Sequence, residues 1–249
     1  MSDRIVLAGQ TALVTGAGRR LGRAITLALA RAGANVVLHY RSSAGEAEAT
    51  AAEASLLGAR TWLLEADLSN PAAAAELVDR AAAETGGLDI LVNNASMFSE
   101  CAFADSTAEA VLENVNVNAM APMYAARAFA GQQRPGAIVN MIDAMADDYD
   151  RRHVPYHLAK RMLLTLTSIM AVEFAPLVRV NAVAPGLILP PEGKDTGYLE
   201  SLKHTNPLNR YGSEGGVADA VLYLLRAGFV TGQTLYVDGG RHLRGNMYG

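Results

Sequence analysis

Three side chains in the second half of the chain have types and spacing suited to proton transfer. Tyr156 and Lys160 are four residues apart, and Asp143 lies thirteen residues before Tyr156. Residues i and i+4 of a helix face the same side, so we expect the Lys160 ammonium near the Tyr156 hydroxyl. A nearby cation favours the phenolate, which predicts a lowered pKa for Tyr156 and proton exchange with a substrate. Alternatively, the two side chains merely share a helix face.

A glycine-rich turn near the start of the chain has the composition of a phosphate-binding site. Residues 15–22 read T-G-A-G-R-R-L-G, after a short apolar run and before an amphipathic segment. Glycines let the backbone approach a pyrophosphate, and the N-terminus of the following helix offers free N–H groups. The competing interpretation is an ordinary tight turn that carries two surface arginines.

The end of the second apolar run indicates which dinucleotide the turn would bind. An acidic residue is expected there for NAD, but the chain has His39, Tyr40, Arg41 and Ser42. A carboxylate would repel a 2′-phosphate, whereas an arginine with neighbouring hydroxyls binds it through charge-assisted hydrogen bonds. The sequence therefore predicts NADP(H), unless Arg41 is only a solvated loop residue and the chain is indifferent.

The elements that must position these residues follow an alternating pattern. Short aliphatic runs typical of strands buried on both faces occupy 11–15, 35–40, 61–65, 89–92, 137–142, 179–183 and 234–237. Helix-length segments lie between them at 21–33, 44–57, 71–86, 107–130, 155–175 and 215–227. The pattern predicts one domain over 1–249, a doubly wound α/β fold with a seven-stranded parallel sheet flanked by helices. Segment 186–216 is rich in glycine and proline and predicts an irregular, mobile loop over the substrate.

Composition excludes several classes of function. The net charge is −4 with no basic stripe, so we expect no nucleic-acid partner. Residues 1–9 lack the features of a secretory signal, and the longest apolar stretch, 162–172, is too short to span a bilayer. The single cysteine, Cys101, suits a reducing compartment. A cytoplasmic protein with no membrane partner is predicted, and no metal site.

Together these motifs resemble the short-chain dehydrogenase/reductase family. The turn resembles the family pattern T-G-x-x-x-G-x-G, except that Arg20 replaces the middle glycine. Residues 93–96, N-N-A-S, resemble the family's N-N-A-G element, and Tyr156 with Lys160 forms its Y-x-x-x-K pair. A closer similarity is to the pteridine reductases, in Arg20, Asp143 and Phe98. The terminal motif V-D-G-G-R-H-L-R at 237–244 also resembles the bacterial dihydromonapterin reductases.

The resemblance implies a single-domain Rossmann fold, specific site residues and a reaction. Residues expected to bind NADP(H) are Gly16, Arg19, Arg20, Leu21, His39, Tyr40, Arg41, Ser42, Asp67, Leu68, Asn94, Ala95, Asn118, Tyr156, Lys160, Pro185 and Gly186. Those expected to bind a pterin-like substrate are Arg20, Ser96, Phe98, Asp143 and Tyr156, and the expected catalytic residues are Asp143, Tyr156 and Lys160. The implied reaction is NADPH-dependent reduction of a 7,8-dihydropterin to the tetrahydro form. A homotetramer built on segments 107–130 and 155–175 and on the C-terminal strand is also implied.

Asp143 stands where most members of the family have serine. An ionised carboxylate would repel a developing alkoxide, which argues against ordinary ketone reduction. A carboxyl group beside Tyr156 can instead help to deliver a proton to a ring nitrogen, particularly if burial raises its pKa. Three alternatives remain open at this point: a purely structural Asp143, a reductase of a ketone, sugar or 3-oxoacyl substrate, and a non-catalytic NADP-binding sensor.

Overall fold

A seven-stranded parallel sheet forms the centre of the molecule in the computed structural model, which describes residues 7–146, 148 and 150–246. In space the strands follow the order β3-β2-β1-β4-β5-β6-β7. Their bounds are β1 Thr11–Val14, β2 Asn35–Tyr40, β3 Thr61–Glu65, β4 Ile90–Asn93, β5 Gly136–Met141, β6 Val178–Pro185 and β7 Thr234–Val237. The chain order reverses between β1 and β4, and the carboxyl ends of strands at such a switch point form a binding crevice.

Helices cover both faces of the sheet. They are α1 Arg20–Arg31, α2 Ala44–Leu56, α3 Pro71–Thr85, α4 Ala108–Val115, α5 Ala121–Gly131, α6 Val154–Glu173, α7 Thr196–Leu202 and α8 Glu214–Arg226. Side chains of β1 alternate between the two layers, as the pleat requires. Val14 packs in one core with Ile25 of α1 and Val221 of α8, and Leu13 packs in the other with Leu77 and Phe129. This double burial explains the continuous aliphatic runs of the strands.

The structure confirms the predicted fold and changes two elements of it. The expected helix over 107–130 is interrupted by a π-helical segment, Asn116–Met120, directly before α5. Pro122 lies in the first turn of α5 and has no N–H to donate, so the regular hydrogen-bond ladder cannot pass through it. Segment 186–216 is not wholly irregular, since it contains α7. A seven-residue helix, capped by Asp195 through a bond from the Gly197 N–H at 3.0 Å, is too short to show a period in the sequence.

The C-terminal motif holds segment 186–216 against the sheet. The Leu208 N–H donates to the Gly239 carbonyl at 3.3 Å. Gly239 has φ +66°, and a Cβ there would lie 2.6 Å from the Asn206 side-chain oxygen. Asp238 fixes the turn by accepting from the backbone N–H groups of Gly240 and His242 at 2.9 and 2.7 Å. The motif therefore has a structural function that the sequence alone did not reveal.

None of the helices in the described ranges is both long and apolar enough to cross a membrane.

Candidate active site

Asp143 and Tyr156 form a directly hydrogen-bonded pair at the carboxyl edge of the sheet. Asp143 follows β5, and Tyr156 lies in the first turn of α6. The Tyr156 hydroxyl donates to Asp143 Oδ2 at 3.0 Å, while Oδ1 accepts from the Met145 N–H at 2.8 Å. Tyr156 is buried, and only 8% of its surface is exposed. The two groups that sequence analysis assigned to proton transfer are therefore in contact and partly screened from water.

Burial determines how both groups hold their protons. It is the main cause that raises the pKa of Asp143, and hydrogen bonds from Met145 and Tyr156 oppose it. Burial, followed by the charge of Asp143, raises the pKa of Tyr156 well above its ordinary value. Both groups thus keep their protons to higher pH than they would in water, which suits a pair that donates protons.

The expectation that Lys160 lowers the pKa of Tyr156 is wrong for this structure. The Lys160 ammonium donates to the Met141 carbonyl at 2.8 Å and lies 5.6 Å from the centroid of the Tyr156 ring. Burial lowers the pKa of Lys160 itself to about 8. The i, i+4 spacing placed the two side chains on one face, as expected, but burial and Asp143 outweigh the cation at the phenol.

An aromatic cluster forms one wall beside Tyr156. The Phe98 ring meets the Tyr156 ring edge-on, with centroids 4.7 Å apart, and stacks face-on with His153 at 4.1 Å. Phe98 remains 50% exposed, so much of its ring surface is open to a ligand. His153 Nδ1 bonds Asp150 Oδ2 at 2.8 Å. Helical spacing did not identify His153 from the sequence, because it is the N-cap residue before α6, with φ −131°, and not part of the helix.

Asn118 holds the loop after β4 through hydrogen bonds. Its side chain is fully buried and accepts from the Ser96 hydroxyl at 2.8 Å and the Met97 N–H at 3.1 Å. Its amide nitrogen donates to the Met97 carbonyl at 2.9 Å. These hydrogen-bonding groups are used inside the protein, and the expected contact of Asn118 with the cofactor stays a prediction. Ser96 is exposed, and since its proton goes to Asn118, its oxygen can accept from a ligand N–H.

The glycine-rich turn has the geometry of an anion cradle. Gly16 has φ +63°, and a Cβ there would approach Ala95 Cα to 3.1 Å. Asn94 holds the turn by donating to the carbonyls of Thr15 and Gly16 at 2.9 and 3.1 Å. Helix α1 follows with Leu21 in its first turn, and no side chain caps its N-terminal N–H groups. Free N–H groups beside two arginines fit a pyrophosphate.

Both arginines of the turn contact segment 186–216. Arg20 has φ +52°, a left-handed conformation that accounts for glycine at this position in the family pattern and costs a side chain on the order of 1 kcal/mol. Its guanidinium donates to the Pro190 carbonyl at 2.7 Å, and Arg19 pairs with Glu192 at 2.6 Å. These contacts link the turn to the segment expected to cover the substrate.

His39 and Leu68 lie beneath the expected cofactor edge. The His39 ring is 2% exposed and bonds the Gly16 N–H and the Ala66 carbonyl. The Leu68 side chain is 6% exposed and packs in the core with Leu77 and Val78. Both side chains are turned inward at the ends of β2 and β3, and the expected contact of these two residues with the cofactor stays a prediction.

The remaining expected cofactor residues lie along the carboxyl edge of the sheet. Arg41 and Ser42 follow β2 and are exposed, and Tyr40, the last residue of that strand, is half-buried. The pKa of Asp67 is lowered, first by the hydrogen bond from the Ser69 N–H and to a smaller degree by the charge of Arg41.

The far side of this edge is formed by the end of β6. Pro185 is the last residue of that strand, and its carbonyl accepts from the Ala144 N–H at 3.0 Å. The Gly186 N–H donates to the Val237 carbonyl at 3.0 Å, and a Cβ at Gly186 would lie 2.6 Å from Asp238 Cβ. The backbone after β6 is thereby held against both β5 and β7.

Comparison with known proteins agrees with this arrangement. A family model described as enoyl-(acyl carrier protein) reductase matches residues 16–242. The chain belongs to the short-chain dehydrogenase/reductase family. Pteridine reductase 1 from Leishmania tarentolae is 34% identical, over 93% of this chain and 96% of that protein. L-xylulose reductase from Cavia porcellus is also 34% identical, over 94% and 97%.

Among solved structures, FolM alternative dihydrofolate reductase 1 from Brucella suis, in complex with NADP, superposes with a TM-score of 0.90. It is 32% identical and covers 96% of this chain and 97% of that one. Members of the short-chain dehydrogenase/reductase family with different substrates are thus about equally similar to this oxidoreductase. Overall similarity therefore does not select the substrate, and the side chains of the site must do so.

Proposed function

We propose that this short-chain dehydrogenase/reductase uses NADPH to reduce a 7,8-dihydropterin to the corresponding tetrahydropterin. The observation that carries the proposal is the carboxyl group of Asp143, hydrogen-bonded to the Tyr156 hydroxyl at 3.0 Å with its pKa raised by burial. Reduction of a C=N bond needs a proton for the ring nitrogen, and a carboxyl group that keeps its proton can supply one. The similarity to pteridine reductase 1 and to the FolM structure supports this choice.

The cofactor site fits NADP(H). Its pyrophosphate would meet the N–H groups at the N-terminus of α1, beside the glycine-rich turn, and Arg41 with Ser42 would meet the 2′-phosphate at the end of β2. Bound NADPH would supply the hydride, in this scheme to the pterin ring carbon C6. Lys160, held by the Met141 carbonyl, would orient the nicotinamide ribose.

Arg41 gives a direct test of the cofactor. Arg41→Ala should weaken NADPH binding by about 10- to 100-fold, because a charge-assisted hydrogen bond to the 2′-phosphate is lost. Binding of NADH, which lacks that phosphate, should be nearly unchanged. Fluorescence titration with both nucleotides measures the effect, and Arg31→Ala, an equal change of charge at the other end of α1, is the control. Equal losses for NADH and NADPH would remove Arg41 from the phosphate site.

The chain's own residues can bind a planar ring and route a proton. Phe98 offers its exposed ring surface for stacking, Ser96 offers an acceptor oxygen to ring N–H groups, and Arg20 adds a cation at the cofactor side. Tyr156 and Asp143 share the proton that N5 would receive. Because Asp143 Oδ1 is held by Met145, the shared oxygen is fixed in direction.

A second candidate is reduction of a ketone, such as that of a sugar. The similarity to L-xylulose reductase favours it, since that relative is as similar as pteridine reductase 1. In that case Asp143 would have to be protonated throughout, because an ionised carboxylate would repel the developing alkoxide.

Turnover of pterins separates these candidates. NADPH oxidation should be rapid with dihydromonapterin, dihydrobiopterin or dihydrofolate and slower with L-xylulose and 3-oxoacyl thioesters. Asp143→Ser should lose most of the pterin rate, because serine cannot supply an acidic proton. Robust ketone turnover with no pterin turnover by the parent enzyme would overturn the pterin proposal and leave the family assignment intact.

Exposed apolar side chains on two helices support an assembly of several chains. Large apolar side chains are exposed on α4 and α6, among them Leu112 at 60%, Ile169 at 55% and Val172 at 80%. Apolar helix faces of this kind favour burial between subunits, and we propose a homotetramer in the cytoplasm. Light scattering that gives the mass of one chain would contradict the tetramer, and recovery of the protein outside the cytoplasmic fraction would contradict the location.

A further inference from the structure

His39 joins the ends of three strands beneath the glycine-rich turn. It is the second-last residue of β2 and is 2% exposed. Its Nδ1 lies 3.1 Å from the Gly16 backbone nitrogen, and its Nε2 lies 3.0 Å from the Ala66 carbonyl oxygen after β3. Its own carbonyl accepts from the Ala17 N–H at 2.9 Å. Through these three bonds one residue connects the turn to β2 and β3.

The partners of the ring select one protonation state. The Gly16 N–H can only donate, so Nδ1 must carry no proton, and the Ala66 carbonyl can only accept, so Nε2 must carry one. Burial lowers the pKa of His39 to about 4, the charge of Arg80 acts in the same direction, and the Ala66 bond and Asp67 oppose it. The ring is thus neutral at working pH, as the single Nε2–H tautomer.

This arrangement decides which groups of the turn can bind an anion. The N–H groups of Gly16 and Ala17 both donate to His39 and are not free for a phosphate. Gly16 is thereby fixed at φ +63°, the conformation that directs the rest of the turn into α1. The N–H groups at the start of α1, which no side chain caps, remain available for a pyrophosphate.

We propose that His39 is a positioning residue for the dinucleotide, acting as a neutral hydrogen-bond acceptor that fixes the Gly16 amide. It does not touch the cofactor; it holds the turn in the shape that does. The inference rests on the proposed cofactor but not on the proposed substrate. NADPH binding by the parent protein tests that cofactor first, so its failure and the failure of this inference are distinguishable.

Two amide variants separate the two ring nitrogens. In His39→Asn the amide oxygen can take the place of Nδ1 and still accept a hydrogen bond from the Gly16 N–H. In His39→Gln the amide nitrogen reaches the position of Nε2, so the variant keeps only the hydrogen bond to the Ala66 carbonyl. We expect His39→Asn to bind NADPH within about twofold of the parent, and His39→Gln to bind about tenfold more weakly, the loss typical of one neutral hydrogen bond. Thermal unfolding of both variants verifies that they are folded. Equal NADPH affinities in the two folded variants would overturn the proposal.

A spectroscopic measurement on the parent protein covers the case in which a variant does not fold. In protein labelled with ¹⁵N at histidine, the His39 signal is identified by its coupling to the Gly16 amide proton. We expect an unprotonated Nδ1 and a protonated Nε2, unchanged between about pH 6 and 8, because this whole range lies above the lowered pKa of about 4. A proton on Nδ1, or a rapid mixture of both tautomers, would overturn the proposal.

Discussion

Asp143→Asn is expected to lower kcat for dihydropterin reduction by about 100- to 10,000-fold, the usual contribution of a positioned acid. The amide oxygen can still accept from the Met145 N–H, and the amide nitrogen can donate to the Tyr156 oxygen where Oδ2 accepted before, so the side chain can keep its position. The acidic proton is lost. Steady-state rates at saturating NADPH measure the effect, and NADPH affinity should change little. Asp105→Asn, the same change at an exposed position, is the control.

The pH dependence follows from the raised pKa of Asp143. If the protonated carboxyl is the acid, the rate of the parent falls as pH rises through that raised pKa, and this fall disappears in Asp143→Asn. A variant with the parent's rate, or with the same pH profile, would contradict the proton-donor role.

The same substitution should also stabilise the protein at neutral pH. A carboxyl whose pKa is higher in the folded than in the unfolded state binds more protons when folded. Stability is therefore lost as pH rises from the unfolded value of about 3.9 through the folded one. Asparagine removes this loss, so thermal unfolding at pH 7 to 8 should occur at a higher temperature in Asp143→Asn. A substitution that raises the unfolding temperature and lowers kcat is typical of a catalytic residue whose burial destabilises the folded protein.

Tyr156→Phe has the second large expected effect, a fall in kcat of about 100- to 10,000-fold. Phenylalanine keeps the ring that meets Phe98 edge-on and removes only the hydroxyl that donates to Asp143. Loss of that hydrogen bond also raises the pKa of Asp143 further, since the bond lowers it in the parent. NADPH affinity should be retained, and Tyr223→Phe, at an exposed position of α8, is the control.

A double variant shows whether the two groups act as one unit. If Tyr156 and Asp143 share one proton, Asp143→Asn combined with Tyr156→Phe should cost little more than the larger single loss. Multiplication of the two losses would indicate independent roles. A Tyr156→Phe variant with most of the parent's rate would mean that water or Asp143 alone protonates the substrate.

The sequence determined the fold and most of the residues along the site. Short aliphatic runs identified all seven strands, because strands covered on both faces must be apolar at nearly every position. The glycine pattern identified the turn between β1 and α1, and the spacing of Asp143, Tyr156 and Lys160 placed them together. Asp143 and Tyr156 meet because β5 ends beside the first turn of α6.

Only the tertiary structure decided what the buried polar side chains do. His39 and Asn118 have the residue types of ligand-binding groups, but they are hydrogen-bonded inside the protein. The pKa of Tyr156 rises rather than falls, because loss of water and the charge of Asp143 outweigh a lysine held by a carbonyl. Sequence spacing fixes which side chains share a helix face or a strand end. Burial and hydrogen-bond partners come from elements distant in the chain, so they set protonation and availability only once the fold has formed.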